Sequence, residues 1–190
     1  MAINVVTEGS DATNLDDKRA PMASASMLYN ADNTVAWEQM WDTFCVLASE
    51  GGPPHRNALL RAQINANPQS VGYQLAAQEI IRGIALVSGL QARMAQTGWI
   101  AVACGQAGKA RWLSEQIVLE NVESYSDGAQ LYVPVGDDFT LKDEIKNVIT
   151  VVAKTTHYWA EHLAPEVKTS LAWAERMKAL SKQLRRWFRR

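Results

Sequence analysis

The stretch WIAVACGQAGKARWLSEQIVLENVESYSDGAQLYVPV, residues 99–135, decides the fold class because it places strand patterns inside a chain whose other patterns are helical. Its two ends, WIAVAC and QLYVPV, are short apolar runs that are typical of buried strands. Between them, AGKARWLSEQIVLEN has helical spacing, and VESYS indicates a further strand that turns at Asp127 and Gly128. The stretch therefore predicts a β-α-β-β segment.

Helical patterns lie on both sides of this segment. The longest covers residues 69–95 after Pro68, and its middle, IIRGIALVSGL, is apolar almost all round, which is typical of a helix at the centre of a domain. Gly83 and Gly89 weaken such a helix, so we expect a closely crossing partner to explain them. The remaining patterns predict helices near residues 34–50, 57–63, 140–163 and 165–190.

Together these patterns predict an α+β fold, in which a layer of four to five helices packs against a small β-α-β-β sheet segment. The length of 190 residues and the hydrophobic content of 47% fit one domain with a substantial core. Residues 1–31 lack sustained periodicity and predict a loosely ordered N-terminal arm. Residues 32–190 are expected to form a single domain that ends in a basic amphipathic helix.

Composition and motifs disfavour several protein classes. Cys45 and Cys104 lie far apart in sequence, which argues against a disulfide framework or a structural zinc site. The first residues have no signal-peptide pattern, and no run approaches the roughly 20 apolar residues of a membrane span, so we expect a cytoplasmic location. The familiar motifs for phosphate binding, dinucleotide binding, serine hydrolysis and zinc proteolysis are missing, and the sequence indicates no cofactor.

The stretch EIKNVITVVAKTTHYWAEHL, residues 144–163, mixes apolar residues with lysine, histidine and glutamate. At about 100° per residue, the two kinds separate onto opposite faces of a helix. The apolar face holds Ile145, Val148, Ile149, Val152, Thr156, Trp159 and Leu163, and the polar face holds Asp143, Asn147, Thr150, Lys154, His157 and Glu161. The simplest interpretation is a packed helix whose polar side faces solvent.

A catalytic interpretation of this polar face is the alternative. Lys154 and His157 are i, i+3 neighbours, and His157 and Glu161 are i, i+4 neighbours, so the three side chains can converge over two turns. Inside a cleft, such a group would transfer protons as a general acid and base. These three residues are therefore the candidate catalytic residues.

Glu79 and Arg82 interrupt the most apolar helix one turn apart. An ion pair at the edge of the core is the conservative interpretation, because buried charges are normally paired. If Glu79 were engaged elsewhere, Arg82 would be able to hold a carboxylate or phosphate with two parallel hydrogen bonds. Arg82, Glu79 and Asn147 are therefore the candidate residues for binding a small anionic ligand.

A metal site is not predicted. His157 and His162 are five residues apart, which on an α-helix places them about 140° from each other, unlike the i, i+4 pair of a zinc-protease helix. The two imidazoles are therefore not expected to share one ion.

The last helical pattern carries an apolar seam and a basic end. Large apolar residues recur there with the 4-3-4-3 spacing of the a and d positions of two heptads, at Trp173, Met177, Leu180, Leu184 and Trp187. Residues 176–190 also hold seven Lys or Arg and no acid. We expect the seam to dock on its own domain or on a second subunit, and the cations leave nucleic acid or an anionic membrane surface as alternative partners.

Function is predicted only by class. Seven tryptophans and the C-terminal seam favour a binding or assembly protein that forms a homodimer through apolar helices, with a small anionic ligand as a further partner. The second hypothesis is an acid/base enzyme of lyase or isomerase type, in which Lys154 and His157 act on a small anionic substrate that Arg82 holds. The third is nucleic-acid or anionic-membrane binding through the basic C-terminal helix.

Overall fold

The computed structural model describes residues 27–41 and 56–187 and has an α+β fold, as the sequence predicts. In chain order, its elements are α1 (Val71–Ser88), β1 (Ala92–Met94), β2 (Trp99–Ala103), α2 (Ala107–Leu119), β3 (Tyr125–Asp127), β4 (Gln130–Pro134), α3 (Lys146–His157) and α4 (Pro165–Trp187). Short π-helical turns lie on either side of α3, at Leu141–Ile145 and Tyr158–His162. Residues 37–41 are also helical.

The strands form an antiparallel sheet in the order β1-β2-β4-β3. The predicted β-α-β-β segment is therefore confirmed as β2-α2-β3-β4, and β1 adds an edge strand. In the central pair, Ile100 is opposite Val133 and Val102 is opposite Leu131, and all four side chains are fully buried. They join apolar residues of α1, α2 and α3 in one core.

The predicted length of α1 is wrong at its C-terminal end. The helix ends at Ser88 rather than Ala95, because Gly89 adopts a left-handed conformation with φ of 67° and donates its N–H to the Ala85 carbonyl. Such a C-cap favours glycine, which has no Cβ to clash. The released residues 92–94 pair with β2 as strand β1.

The expected close crossing is confirmed at Gly83. A Cβ added to this residue would lie 2.3 Å from Ile149 Cδ1, so a hydrogen in place of a side chain allows α3 to approach α1. Both residues are buried. Gly83 therefore allows α3 to pack closely against α1.

The short helix predicted at residues 57–63 is wrong. Leu60 instead forms a parallel bridge with Val122, donating its N–H to Asn121 O at 2.8 Å and accepting from Glu123 N at 2.8 Å. Glu123 also accepts the Ala62 N–H through its carboxylate. Tertiary hydrogen bonds therefore replace the local helical ones.

The prediction that α3 turns its polar side to solvent is wrong. Lys146 and Asn147 are only 3% and 7% exposed, and the Lys154 side chain is only 11% exposed. Helix α3 packs against α1 and α2, and Trp41 contacts it near its C-terminal end. The helix is thus central, with its polar residues buried in protein contacts.

Some predictions lie outside the described residues. They include most of the N-terminal arm at residues 1–31, the helix expected near residues 34–50 beyond its described part, and the last residues, 188–190. Within the described ranges, Tyr29 and Val35 form an antiparallel bridge that precedes the helical residues 37–41. Across these same ranges, no helix combines the length and apolar character needed to cross a bilayer.

Candidate functional site

Lys154 forms an ion pair with an acid outside its own helix, whereas the sequence predicted that Glu161 lies near it. Its Nζ donates to Glu120 Oε1 at 2.5 Å, and the two side chains are 11% and 12% exposed. Glu120 is the C-cap residue of α2, so the pair joins the end of α2 to the last turn of α3. Hydrogen bonds between a charged donor and a charged acceptor are shorter and stronger than those between neutral groups.

A second polar group lies on the same side of α3. Arg56 Nη1 donates to the Asp143 carboxylate, and Asn147 donates its amide to the Asp143 carbonyl at 2.8 Å and carboxylate at 2.9 Å. Asn121 donates to the Arg56 carbonyl at 2.7 Å. Asn147 is a predicted ligand-binding residue, but its side-chain amide already donates both of its hydrogen bonds to Asp143.

The rings of His157 and His162 lie 5.3 Å apart between centroids. The expected 140° separation is wrong, because Tyr158–His162 forms a π-helical turn in which the Leu163 N–H bonds to the Tyr158 carbonyl at 3.0 Å. The wider turn brings residues five apart onto one side. Glu161, the third candidate catalytic residue, is exposed.

His157 also contacts Trp41, with ring centroids 5.6 Å apart. Among the described residues, no group of three or more His, Cys, Asp or Glu side chains is placed to hold a metal ion. The geometry around His157 is therefore that of an aromatic contact between α3 and the helical residues 37–41.

Arg82 and Glu79 form an ion pair on α1 with two hydrogen bonds, at 2.9 and 2.6 Å. Arg82 also donates to the Val35 carbonyl at 2.9 Å, and Trp37 Nε1 donates to Glu79 Oε1 at 2.7 Å. The hydrogen bonds that Arg82 donates to the Glu79 carboxylate raise the pKa of Arg82. The pair therefore fastens residues 35–37 to α1, and Glu79 is engaged by Arg82 itself.

A small cavity of about 20 Å³ separates residues 37–41 from α1 and α3. Its described lining residues are Trp37, Met40, Trp41, Val87, Lys146, Ile149, Thr150 and Ala153. This volume suits a water molecule rather than a metabolite. Burial lowers the pKa of Lys146, which is 3% exposed.

The described lining of this cavity does not include Arg82, Lys154 or His157. Each of the three has its own contacts: Arg82 with Glu79, Lys154 with Glu120, and His157 with aromatic rings. Proton transfer by Lys154 and His157 on a substrate held by Arg82 stays a prediction.

Helix α4 places its large apolar residues away from the domain. Trp173, Met177 and Leu180 are 63%, 51% and 54% exposed. The opposite face docks on α2, where Glu175 bonds to Arg111 at 2.9 Å. Gly108 allows this contact, since a Cβ there would lie 3.0 Å from Ala172 N. The α4 seam, Trp173, Met177 and Leu180, is therefore open to a partner.

A groove of about 520 Å³ runs beside the docked face of α4, between it and the start of α2. It is lined by Gln106, Ala107, Gly108, Ala172, Glu175, Arg176 and Ala179. Its carboxylate, Glu175, already accepts from Arg111 and Lys178, both at 2.9 Å. The groove is thus wide enough for a ligand, but its carboxylate is already engaged by two cations outside the lining.

Glu120 and Arg56 are charged residues whose partners on α3 and just before it, Lys154 and Asp143, could not be predicted from the sequence. Glu120 is the second-to-last residue of a predicted helix, so its position at a helix end was visible in the sequence. Its pairing with Lys154, 34 residues away, depends on how α2 crosses α3.

Comparison with known proteins gives no match: no family model, no curated protein and no solved structure is similar to this chain.

Proposed function

We propose that the protein is an assembly protein that associates with a second copy of itself through the α4 seam. The observation that carries this proposal is the exposure of Trp173, Met177 and Leu180 on the face of α4 opposite its docked side. Aromatic and methionine side chains are enriched at the centres of protein interfaces. A cytoplasmic location is part of the same proposal.

The heptad positions favour a helix as the partner. Trp173 and Leu180 occupy d positions and Met177 an a position, and the sequence extends the pattern with Leu184 and Trp187. Glu175, which contacts α2, occupies the f position, farthest from the seam. Each α4 would therefore lie between its own domain and the second copy.

The basic residues favour a protein surface over a membrane. In the sequence, continuing a period of 100° per residue through residue 190 predicts that five of the seven cations lie about 120–180° from the centre of the seam. They are Lys178, Lys182, Arg185, Arg186 and Arg189. A helix that lay on a bilayer through the seam would point these cations away from the lipid headgroups. A second α4 packed on the seam leaves them in solvent.

The expected affinity is low. Fully burying a Leu or Met side chain contributes about 1.5–3 kcal/mol, so a half-exposed one contributes about 1 kcal/mol. Association also loses about 4–15 kcal/mol of translational and rotational freedom. The gain and the loss are therefore of similar size, and we expect a weak dimer that forms only towards the highest micromolar concentrations.

The test is light scattering coupled to size exclusion, at loading concentrations spanning about 1 to 200 μM, which brackets a micromolar dissociation constant. The wild type should change from monomer to dimer, and Trp173→Gln with Met177→Gln should remain monomeric. Val71→Gln with Leu75→Gln is the matched control, because these α1 residues are 75% and 61% exposed but lie off the seam. The control should dimerise like the wild type.

A wild type that stays monomeric at the highest concentration contradicts the proposal. Cosedimentation of such a monomer with anionic vesicles, lost in the seam variant, would instead assign the seam to a membrane surface.

A further inference from the structure

We infer that His157 and His162 form a two-histidine site for a divalent transition-metal ion such as Zn²⁺. The inference is independent of the proposed dimer, because the two residues lie at the end of α3 and in the π-helical turn that follows it. It rests on the backbone of this turn, the separation of the two imidazole rings and the electrostatics of a helix end.

The π-helical turn Tyr158–His162 places the two histidines on one side of the chain. The expectation that their imidazoles would not share one ion assumed an α-helical period throughout. In the structure the Leu163 N–H bonds to the Tyr158 carbonyl at 3.0 Å, which is the bond between residues five apart that defines a π-helix. His157 and His162 have this same spacing. Turns of this kind are rare and occur frequently at functional sites.

The separation of the rings fits a shared ion. Zinc lies about 2.0–2.1 Å from a ligating imidazole nitrogen, so the ring centroid lies about 3.2 Å from the ion. Ligand angles of about 90–110° then place the two centroids about 4.5–5.2 Å apart. The centroids of His157 and His162 are 5.3 Å apart, with their planes inclined at 63°. Small side-chain rotations, which the exposure of His162 allows, therefore bring both rings to one ion.

The end of the helix favours a cation. The last carbonyl groups of a helix carry a partial negative charge, which attracts positive ions. The two lysines nearest in sequence are engaged elsewhere, because Lys154 is paired with Glu120 at 2.5 Å and Lys168 donates to the Ala160 carbonyl at 3.0 Å. Glu161 lies in the turn, is exposed and adds a negative charge. A divalent ion would therefore meet a favourable potential here.

The ligands select the class of ion. Imidazole nitrogens suit Zn²⁺, Ni²⁺ and Cu²⁺, whereas Mg²⁺ and Ca²⁺ prefer oxygen ligands. Among the described residues, no group of three or more His, Cys, Asp or Glu side chains converges, so water would complete the coordination. Structural sites with four protein ligands bind Zn²⁺ with about twice the free energy that two ligands supply, so we expect a dissociation constant of roughly 1–200 μM.

The test is calorimetric titration of the full-length protein with ZnCl₂ near neutral pH. All proteins carry Cys45→Ser, so that this thiol does not compete for the ion. The parent should bind one Zn²⁺ per chain. His157→Gln and His162→Gln should each weaken binding by at least about tenfold, because changes to outer-shell partners alone typically cost about 10–100-fold. His55→Gln is the matched control, since it removes the third histidine of the chain and should bind Zn²⁺ like the parent.

Imidazole NMR of the parent identifies the ligands without relying on a substitution that could disturb the fold. Zn²⁺ should shift the ring resonances of two of the three histidines together, with saturation at one equivalent, and MgCl₂ should shift none. The three glutamine variants assign these resonances.

The alternative is that the two rings only pack against each other and against Trp41. In that case Zn²⁺ produces neither heat nor a common shift of two histidines, and the inference is overturned. It is also overturned if either His157→Gln or His162→Gln binds Zn²⁺ as tightly as the parent.

Discussion

Glu120 and Lys154 form an ion pair between the end of α2 and the last turn of α3, with Glu120 Oε1 2.5 Å from Lys154 Nζ. Lys154 was a candidate for proton transfer because a lysine in a cleft can lose its charge. In the structure its Nζ donates to a carboxylate of another element, and both side chains are nearly buried. The pair therefore favours a structural role for Lys154 at the crossing of the two helices.

Breaking this pair from either side should destabilise the fold. We expect Glu120→Ala or Lys154→Met to lower the unfolding free energy by about 3–5 kcal/mol, because each leaves a buried charge without its partner. The double variant Glu120→Leu with Lys154→Met should recover most of this loss. Urea denaturation gives the free energies. The exposed pair Arg111 and Glu115 is the control, where Glu115→Ala should cost less than about 1 kcal/mol. Single variants at the buried pair that behave like this control would contradict the expectation.

The Cys104 thiol should make stability depend on pH in the alkaline range. Burial raises the pKa of this thiol to about 11, above its ordinary value of 9.0. The unfolded chain therefore loses the proton first, so the stability contributed by the neutral buried thiol is present below pH 9 and is lost as pH rises towards 11. By pH 10 the loss should be about 1 kcal/mol.

Cys104→Ala provides the comparison, because it removes this titration and leaves the other groups in place. Between pH 8 and pH 10, the unfolding free energy of the wild type should fall about 1 kcal/mol more than that of the variant. Equal slopes for the two proteins would show that the thiol is not protected by burial.

The crossing of α1 and α3 should be sensitive to a single methyl group. Gly83→Ala places a Cβ 2.3 Å from Ile149 Cδ1, and we expect overpacking to cost about 1–3 kcal/mol despite the better helix propensity of alanine. Ile149→Val removes Cδ1. The double variant Gly83→Ala with Ile149→Val should therefore lose less stability than the sum of the losses of the two single variants. Thermal unfolding of the four proteins gives the coupling. Gly72→Ala is the control, since its Cβ would meet the Asp137 carbonyl at 2.4 Å, a backbone atom that Ile149→Val cannot relieve.

Much of the fold was predictable from the sequence because local patterns agree with tertiary packing in the middle of the chain. The apolar runs of β2 and β4 and the turn at Gly128 are encoded within a few neighbouring residues. Pro165 begins α4 as expected. The failures lie where a distant contact overrides a local pattern, as at Leu60, which pairs with Val122 instead of continuing a helix.

The polar residues were harder to place because a helical wheel assumes one period and one solvent side. The π-helical turn at Tyr158–His162 changes the period, so it brings His157 and His162 together. The polar side of α3 does not face solvent as predicted, because neighbouring elements pack on it and bury Lys154 and Asn147. The helical wheel separated the apolar face of α3 from its polar face. The period of one helix carries no information about which other elements pack around it.

The sequence predicts that the seam of α4 docks on another surface, and the described part of the seam is exposed. Deleting the C-terminal end of α4 should therefore affect association rather than the fold. Removing residues 183–190 takes away Leu184 and Trp187, which extend the seam, and four of the seven cations. We expect the unfolding free energy, measured at about 1 μM where the monomer dominates, to change by less than about 1 kcal/mol. Dimerisation at 200 μM should be lost. The control, Arg185→Gln with Arg186→Gln, keeps the apolar positions and should still dimerise. If the deletion instead lowers the stability of the monomer by several kcal/mol, the end of α4 packs on its own domain, and Trp173, Met177 and Leu180 are the uncovered edge of an intramolecular contact.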